Sequence, residues 1–283
     1  MEWDDLRVFL AIAREGTLGA AAPKLGQTQP TMGRRLRALE EAVGQKLFQR
    51  TNDGFVMTDE GAAVLNHAQR MEEEALAFQR QLAGQEQVLD GMLRITSSDW
   101  FGAYVLTPVL ADFARAHPQV TIELLTDARF LSLSHREADL AFRLQPFDEP
   151  DIASRKLLSM PYGLYTRQGS AHPRAGDGAD AALITMDTAF ASMPDVAWLR
   201  RMLPHARVVL RSNARVIQAQ MCVQGIGVAV LPRPLGDSFA GLERVELGED
   251  PPSRDTWVGY HRDLRRLARL RALLDMVLER LAN

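Results

Sequence analysis

The 283-residue chain has one cysteine, Cys222, which excludes an internal disulfide and any thiolate metal cluster. Its six histidines, at positions 67, 117, 135, 172, 205 and 261, include no pair at metal-ligand spacing. No stretch approaches the roughly 18 uninterrupted apolar residues that a membrane span needs. Charge of one sign is also lacking: 33 Lys and Arg stand against 36 Asp and Glu, a net of −3. That balance argues against a polycation coating nucleic acid, so any nucleic-acid footprint must be local. The opening segment "MEWDDLRVFLAIAREG" is acidic and its apolar residues are periodic, unlike a secretory signal. The expected compartment is therefore the cytoplasm, with no membrane partner.

Signs of catalysis are equally thin. "GIGVAV" lacks a complete G-x-G-x-x-G and follows a helical stretch, so it is not a dinucleotide loop. No nucleophile–base constellation stands out, and no catalytic residue, metal ligand or cofactor is expected. Cys222 lies in an apolar helical stretch and reads as a packed thiol rather than a redox sensor, having no second cysteine to resolve it.

What is present begins with helices. In "WDDLRVFLAIARE", Leu6, Phe9, Leu10 and Ala13 fall at helical spacing. Thr17 can cap a second helix, "LGAAAPKLG", which Pro23 should bend or shorten. Gly26 ends it. Thr28 caps a third helix, with Pro30 in its first turn where a missing N–H costs little. Met32, Leu36, Leu39 and Val43 form one buried stripe on this helix, while Pro30, Arg34 and Arg37 point the other way, flanked by Thr31 and Arg35. "LFQRTNDGFVMT" then predicts a hairpin of two short strands.

The third helix carries the local basic footprint. Residues 1–60 hold eight Lys and Arg against nine Asp and Glu, yet five basic and two acidic residues lie between Arg34 and Arg50. The bases occupy the first half of the helix, and Glu40 and Glu41 lie near its end, opposite to what the helix dipole prefers. Helix stability therefore does not explain the pattern, and DNA contact does. Thr28, Gln29 and the first-turn N–H groups can position phosphate, and Thr31, Arg34 and Arg35 can reach base edges. Pro30 shares that face. Arg50, with Thr51 beside it before the hairpin turn, suits a backbone phosphate. For Arg37 the alternative is an intrahelical pair with Glu41.

From Thr58, a candidate N-cap, a long helix runs to about Gln87, roughly 45 Å at 1.5 Å per residue. Val64, Ala68, Met71, Ala75, Phe78 and Leu82 recur at a 3.5-residue period, the mark of a helix paired with another. The alternative is a helix lying on its own domain; small residues alternating along the seam and charged flanks favour a dimer.

Past Gly91, "MLRIT", "VTIELLT", "ADLAFRL", "AALITM", "RVVLRS" and "GVAVLP" read as strands separated by helices such as Tyr104–Ala116 and Ala214–Gln224. The alternation predicts a mostly parallel sheet covered on both faces. "GSAHPRAGDGADA" reads as an exposed loop, and residues 263–281 as a final helix whose basic start is a solvated face. In "LRITSSDWFG" a strand ends at Ser97-Ser98 and a helix follows, a place suited to a carboxylate or other small anion. Asp99 can pair with a nearby arginine, and Trp100 can serve the core. Arg129, Phe130 and Arg143 follow other strands or turns and can line the same crevice.

The whole chain, in this order, resembles the LysR-type transcriptional regulators. The residues that carry the resemblance are Ala21-Ala22, Gln29-Pro30, Arg34, Leu39-Glu40, Gly44, Leu47-Phe48, Arg50, and Thr58 with Gly61, together with "VQGIGVAVLP" at Val223–Pro232. Gly33 stands where the family commonly has Ser, and Arg35 where Gln is common. The resemblance implies an N-terminal all-α winged helix-turn-helix over residues 1–60 and a linker and dimerisation helix over 58–89. An α/β two-lobed periplasmic-binding-protein-like effector domain would follow over 91–283. Lobe I is expected at about 91–161 and 257–283, lobe II at about 162–256. It further implies a homodimer or dimer of dimers on double-stranded promoter DNA, a small anionic effector at Ser97, Ser98, Asp99, Trp100, Arg129, Phe130 and Arg143, and contact with RNA polymerase. The rival from another class is a cytoplasmic solute-binding protein or enzyme with a helical N-terminal appendage.

Overall fold

The computed structural model describes residues 2–51, 54–82, 89–126, 131–134 and 137–282. The chain divides into two compact units, residues 1–88 and 89–283. Among the described residues no helix is long and apolar enough to cross a membrane.

In the first unit, α1 (Trp3–Glu15) starts where the Glu2 N–H donates to the Asp5 carboxylate at 3.2 Å and ends at Gly16 with φ +72°. Thr17 caps α2 (Leu18–Lys24), its hydroxyl accepting from the Ala20 N–H at 3.1 Å. Pro23 falls in the last turn of this short helix, so it shortens α2 without breaking a longer run. α3 (Gln29–Val43) follows, with Pro30 in the first turn and Gly44 at φ +70° behind it. Phe9, Ile12, Met32 and Leu39 pack a core with Ala21, Ala22 and Phe48.

Two expectations for α3 fail locally. Thr28 occupies the N-cap position without a capping bond, because its hydroxyl pairs with that of Thr31 at 3.0 Å. Val43 is 42% exposed, and Glu40, 6% exposed, takes the buried place. The helix stops at Gly44, so the last residue of the stripe has no neighbour to cover it, while the Glu40 carboxylate meets the chain that returns as the wing.

That wing is β1 (Phe48–Thr51) paired antiparallel with β2 (Gly54–Met57). It is fastened to the turn after α1 by the Phe55 N–H, which donates to the Gly16 carbonyl at 2.8 Å. α4 (Asp59–Leu82) begins at Thr58, whose hydroxyl accepts from the Gly61 N–H at 3.0 Å and donates to the Lys46 carbonyl at 2.7 Å. Along its apolar seam Ala68 is buried against the core, but Val64, Met71 and Phe78 remain 41%, 44% and 63% exposed. The expected continuation to Gln87 lies outside the described residues.

The second unit contains β3 (Gly91–Thr96), α5 (Asp99–Phe101), a π turn (Gly102–Leu106), α6 (Thr107–Ala116), β4 (Val120–Leu125), β5 (Leu140–Arg143) and β6 (Ile152–Met160). Then come β7 (Tyr162–Arg167), β8 (Ala182–Thr185), α7 (Pro194–Met202), β9 (Arg207–Arg211), α8 (Arg215–Val223), β10 (Val228–Pro232), α9 (Arg233–Gly236) and β11 (Leu242–Val245). β12 (Arg254–His261) and α10 (Ala268–Leu281) complete it. Two five-stranded sheets form, ordered β4-β3-β5-β12-β6 and β11-β7-β10-β8-β9.

The sheets are mixed rather than mostly parallel. β3 runs parallel to β4 and β5, and β8 to β9 and β10, but β12 is antiparallel to β5 and β6, and β7 to β10 and β11. The cause is the traffic between lobes. The chain leaves the first sheet along β6, passes Pro161, and enters the second sheet directly as β7, then returns as β12. Such passing strands need no crossover helix and so pair antiparallel. The two lobes share one core, in which Trp100 of the first lobe meets Tyr162 edge-on, ring centroids 6.4 Å apart.

The glycines of the first unit give a stability test. A Cβ on Gly33 would meet only Leu18 Cδ1, at 3.6 Å, whereas one on Gly61 would lie 2.2 Å from the Leu47 carbonyl oxygen. Gly33→Ala should stabilise the chain by about 0.5–1 kcal/mol through backbone entropy. Gly61→Ala should cost about 1–3 kcal/mol, since backbone must move to admit the methyl. Urea unfolding at fixed protein concentration reads both; a lower midpoint for Gly33→Ala would contradict the first.

Candidate DNA-binding helix and effector crevice

α3 is two-faced. Met32, Leu36 and Leu39 are buried beneath it, while Thr28, Gln29, Pro30, Arg34 and Arg37 lie exposed, together with Arg50 and Thr51 on the wing. Among the described residues, no hydrogen bond or ion pair engages the guanidinium of Arg34 or of Arg50. Gly19 leaves room for Gln29: a Cβ there would stand 2.8 Å from Gln29 Nε2. Arg37 turns back on its own helix, Nε donating to the Gly33 carbonyl at 3.2 Å rather than reaching for Glu41.

Thr31 and Arg35 are half-buried, and Arg35 is occupied. Its Nη1 donates to Asp5 Oδ1 at 3.2 Å and its Nη2 stands 3.5 Å from Asp4 Oδ2. The expectation that Arg35 reaches base edges from the same face as Arg34 meets this ion pair. One residue turns the helix by about 100°, enough to carry Arg35 from the open face to the flank against α1.

Glu40 has a structural role that reading its charge against the helix dipole misses. Its Oε1 accepts from the Leu47 and Phe48 N–H groups at 3.0 and 3.4 Å, and its Oε2 from Lys46 Nζ at 2.7 Å. A carboxylate at a helix C-terminus opposes the dipole by only about 0.3–1 kcal/mol. Charge-assisted bonds to two backbone donors outweigh that. The signal was the acid itself, placed just before a strand whose leading N–H groups needed an acceptor.

The candidate effector residues assemble less completely. Ser97 is buried, its N–H donating to the Leu125 carbonyl at 3.1 Å and its hydroxyl to the Ser98 carbonyl at 3.0 Å. Ser98 and Asp99 stand half-buried at the start of α5, and Trp100 is buried in the shared core. Gly102 starts the π turn; a Cβ there would lie 2.9 Å from Ser97 Oγ. Arg129 and Phe130 lie outside the described residues. Arg143 is engaged within its own lobe: Nη2 donates to the Leu131 carbonyl at 2.9 Å, Nη1 stands 3.5 Å from Glu149, and the guanidinium lies 4.5 Å from the Phe147 ring centroid.

From the second lobe, α8 packs against α5 and brings a buried ion pair that the sequence pattern did not announce. Arg215 Nη2 donates to Asp195 Oδ2 at 2.6 Å, and Nη1 donates to the Val230 carbonyl at 2.8 Å and to Gln218 Oε1 at 3.1 Å. Gln218 Nε2 in turn donates to the Ser212 carbonyl at 2.6 Å. Arg215 also lies 5.6 Å from the Tyr162 ring centroid, and burial pushes the Tyr162 hydroxyl above its usual pKa. Asp195 Oδ1 finds no hydrogen-bond partner among the described residues. An open hollow of about 460 Å³ elsewhere on this lobe is lined by His172, Asp237, Arg244 and Glu246, none of them a predicted effector residue.

Comparison with known proteins fits both units. Residues 3–62 match the family described as bacterial regulatory helix-turn-helix protein, lysR family, and residues 86–282 match the LysR substrate binding domain. The chain is 31% identical over 259 residues to the Mau operon transcriptional activator of Paracoccus denitrificans, covering 91% of this chain and 89% of that one. It is 30% identical over 238 residues to the HTH-type transcriptional regulator DmlR of Escherichia coli K12, covering 80% and 76%. In fold it is similar to full-length CbnR, solved in complex with its target DNA, with a TM-score of 0.62 over 99% of both chains at 18% identity.

Cys222 lies on α8, fully buried, its thiol 3.8 Å from the Tyr165 carbonyl oxygen. Burial pushes its pKa up to about 12, partly offset by the Ala229 backbone. Thiolate is the reactive form, so at pH 8 roughly one molecule in ten thousand is competent even before access is considered. Ellman's reagent should therefore label the native protein negligibly and the urea-unfolded protein stoichiometrically. Rapid labelling of the folded chain would refute the packed-thiol reading.

Proposed function

The chain belongs to the LysR family of bacterial transcriptional regulators, and from that membership we propose how its residues divide the work. It is a DNA-binding transcriptional regulator with a small-molecule effector domain. A solute-binding protein with an unrelated helical appendage would not carry both family matches in this order.

α3 is the DNA helix. Thr28 and Gln29 at its N-terminus hold phosphate together with the first-turn N–H groups, Pro30 shares that face, Thr31 and Arg34 read base edges, and Arg37, Arg50 and Thr51 contact the backbone on either side. The observation that carries this reading is Arg34: exposed, unpaired among the described residues, and on the face opposite the buried stripe. α4 joins two copies along Val64, Met71 and Phe78, an apolar row that remains 41%, 44% and 63% exposed. The working unit is thus a homodimer or dimer of dimers in the cytoplasm, acting on promoter DNA and RNA polymerase. Arg35, a base reader on sequence grounds, is engaged by Asp4 and Asp5 instead.

The effector binds where α5 and α8 meet, against Ser97, Ser98, Asp99 and Trp100, with Arg129 and Phe130 contributing from beyond β4. Support for an anionic effector comes from the half-buried Ser98, at the N-cap position with no capping bond from its side chain, and from the first-turn N–H groups of the run from Asp99 to Ala116. Arg143 serves that crevice indirectly, by bracing the Leu131 carbonyl.

Two measurements test these assignments. Arg34→Ala should weaken binding to the cognate operator by about 1–3 kcal/mol and relax base preference at one position; a salt-controlled titration showing unchanged affinity removes Arg34 from the readout. A thermal-shift screen of small organic acids, amines and neutral compounds should raise the melting temperature with acids. A response confined to amines or neutral compounds would sink the anionic assignment.

A further inference from the structure

Arg35 stands one residue from Arg34 on the same helix and lives in a different electrostatic world. Two carboxylates meet its single charge, Asp5 at 3.2 Å and Asp4 at 3.5 Å. Asp5 is 7% exposed, and its second oxygen accepts from the Glu2 N–H at the start of α1. Asp4 is more open and also lies 3.6 Å from Arg7. For Arg35 to swing out to DNA, Asp5 would have to lose its cation while still nearly buried, which is costly. Among the described residues, Arg34 and Arg50 give up no such partner.

We propose that Arg35 is a positioning residue rather than a base reader: Asp4 and Asp5 hold its guanidinium against α1, and this clamp sets the angle at which α3 presents Arg34 to DNA. The proposal rests on the reading of α3 as the DNA helix. α1 thereby takes part in sequence recognition without touching DNA. The clamp joins the first turn of α1 to the middle of α3, so its loss lets α3 pivot on the Met32–Leu36–Leu39 stripe.

The two roles differ in their salt dependence. A side chain that neutralises a phosphate contributes about 0.9 to the slope of log affinity against log salt, whereas a residue that acts through another contributes nothing. The test uses the full-length chain and a duplex enriched by it from a random-sequence pool. Arg35→Gln should weaken binding several-fold at an unchanged slope. Asp5→Asn should reproduce that loss, and the double variant should be no worse than either single one, because both remove the same clamp.

A slope reduced by about 0.9 in Arg35→Gln, or losses that add in the double variant, would overturn the clamp. If Arg35→Gln does not fold, Arg35→Lys carries the test. It keeps the charge a phosphate contact needs but not the fork that spans two carboxylates. Weakened specific binding at full slope is then expected, and wild-type affinity would overturn the proposal. Should the wild-type chain enrich no duplex, the DNA-binding assignment of α3 fails and takes this inference with it. Tight wild-type binding with a reduced Arg35→Gln slope defeats the clamp alone.

Discussion

The open face of α3 is only as well placed as the closed face is held, and carboxylates do much of the holding. Near its middle, Asp5 and Asp4 engage Arg35 from α1. Near its end, Glu40 gathers Lys46 and the N–H groups of Leu47 and Phe48 at the root of the wing. The same short stretch of chain then receives the Thr58 hydroxyl on the Lys46 carbonyl, and Gly61 lets α4 pass close to the Leu47 carbonyl. One connected set of bonds therefore fixes helix, wing and linker helix. An apolar stripe alone would leave α3 free to roll, since hydrophobic burial is non-directional; these directed contacts select one orientation.

The second unit solves a related problem with different means. Two lobes that share a core can open or close only by bending where the chain crosses between them. The crossings are Pro161, between β6 and β7, and the return through β12. Beside the first crossing sit Tyr162, Trp100 and the Asp195–Arg215 pair, drawn from both lobes and packed together. Burying a charge pair gains little over apolar packing, but removing one partner costs about 3–5 kcal/mol. Such a pair marks a place where geometry, more than stability, is being specified.

How legible this was depended on range. The Met32–Leu36–Leu39 stripe, the wing hairpin and the Thr17 and Thr58 caps follow from neighbours a few residues apart, and local pattern read them. Val43 and Thr28 departed from expectation because their surroundings are decided by chain termination and by a neighbouring hydroxyl. β6, β7, β11 and β12 escaped because they alternate poorly; β6 alone runs three exposed residues together. Arg143 looked available because nothing near it in sequence showed Leu131 or Glu149 folding back to it. For Arg129 and Phe130, outside the described residues, sequence remains the basis of the assignment.

Charge was the least legible layer, for a physical reason. Against the helix dipole, the acids at the end of α3 and the bases at its start look like one pattern with one explanation, contact with DNA. The structure resolves that pattern into separate causes acting over different distances. Glu40 answers to the wing, Arg35 to α1 and Arg37 to the Gly33 carbonyl, which leaves Arg34, among the described residues, as the basic side chain of α3 that no hydrogen bond or ion pair engages. A helix whose basic residues were all solvent-facing would offer DNA a strong but indiscriminate attraction. Committing Arg35 internally reduces that attraction, and what remains depends more heavily on where the exposed guanidinium of Arg34 stands, which is the condition under which base identity can matter.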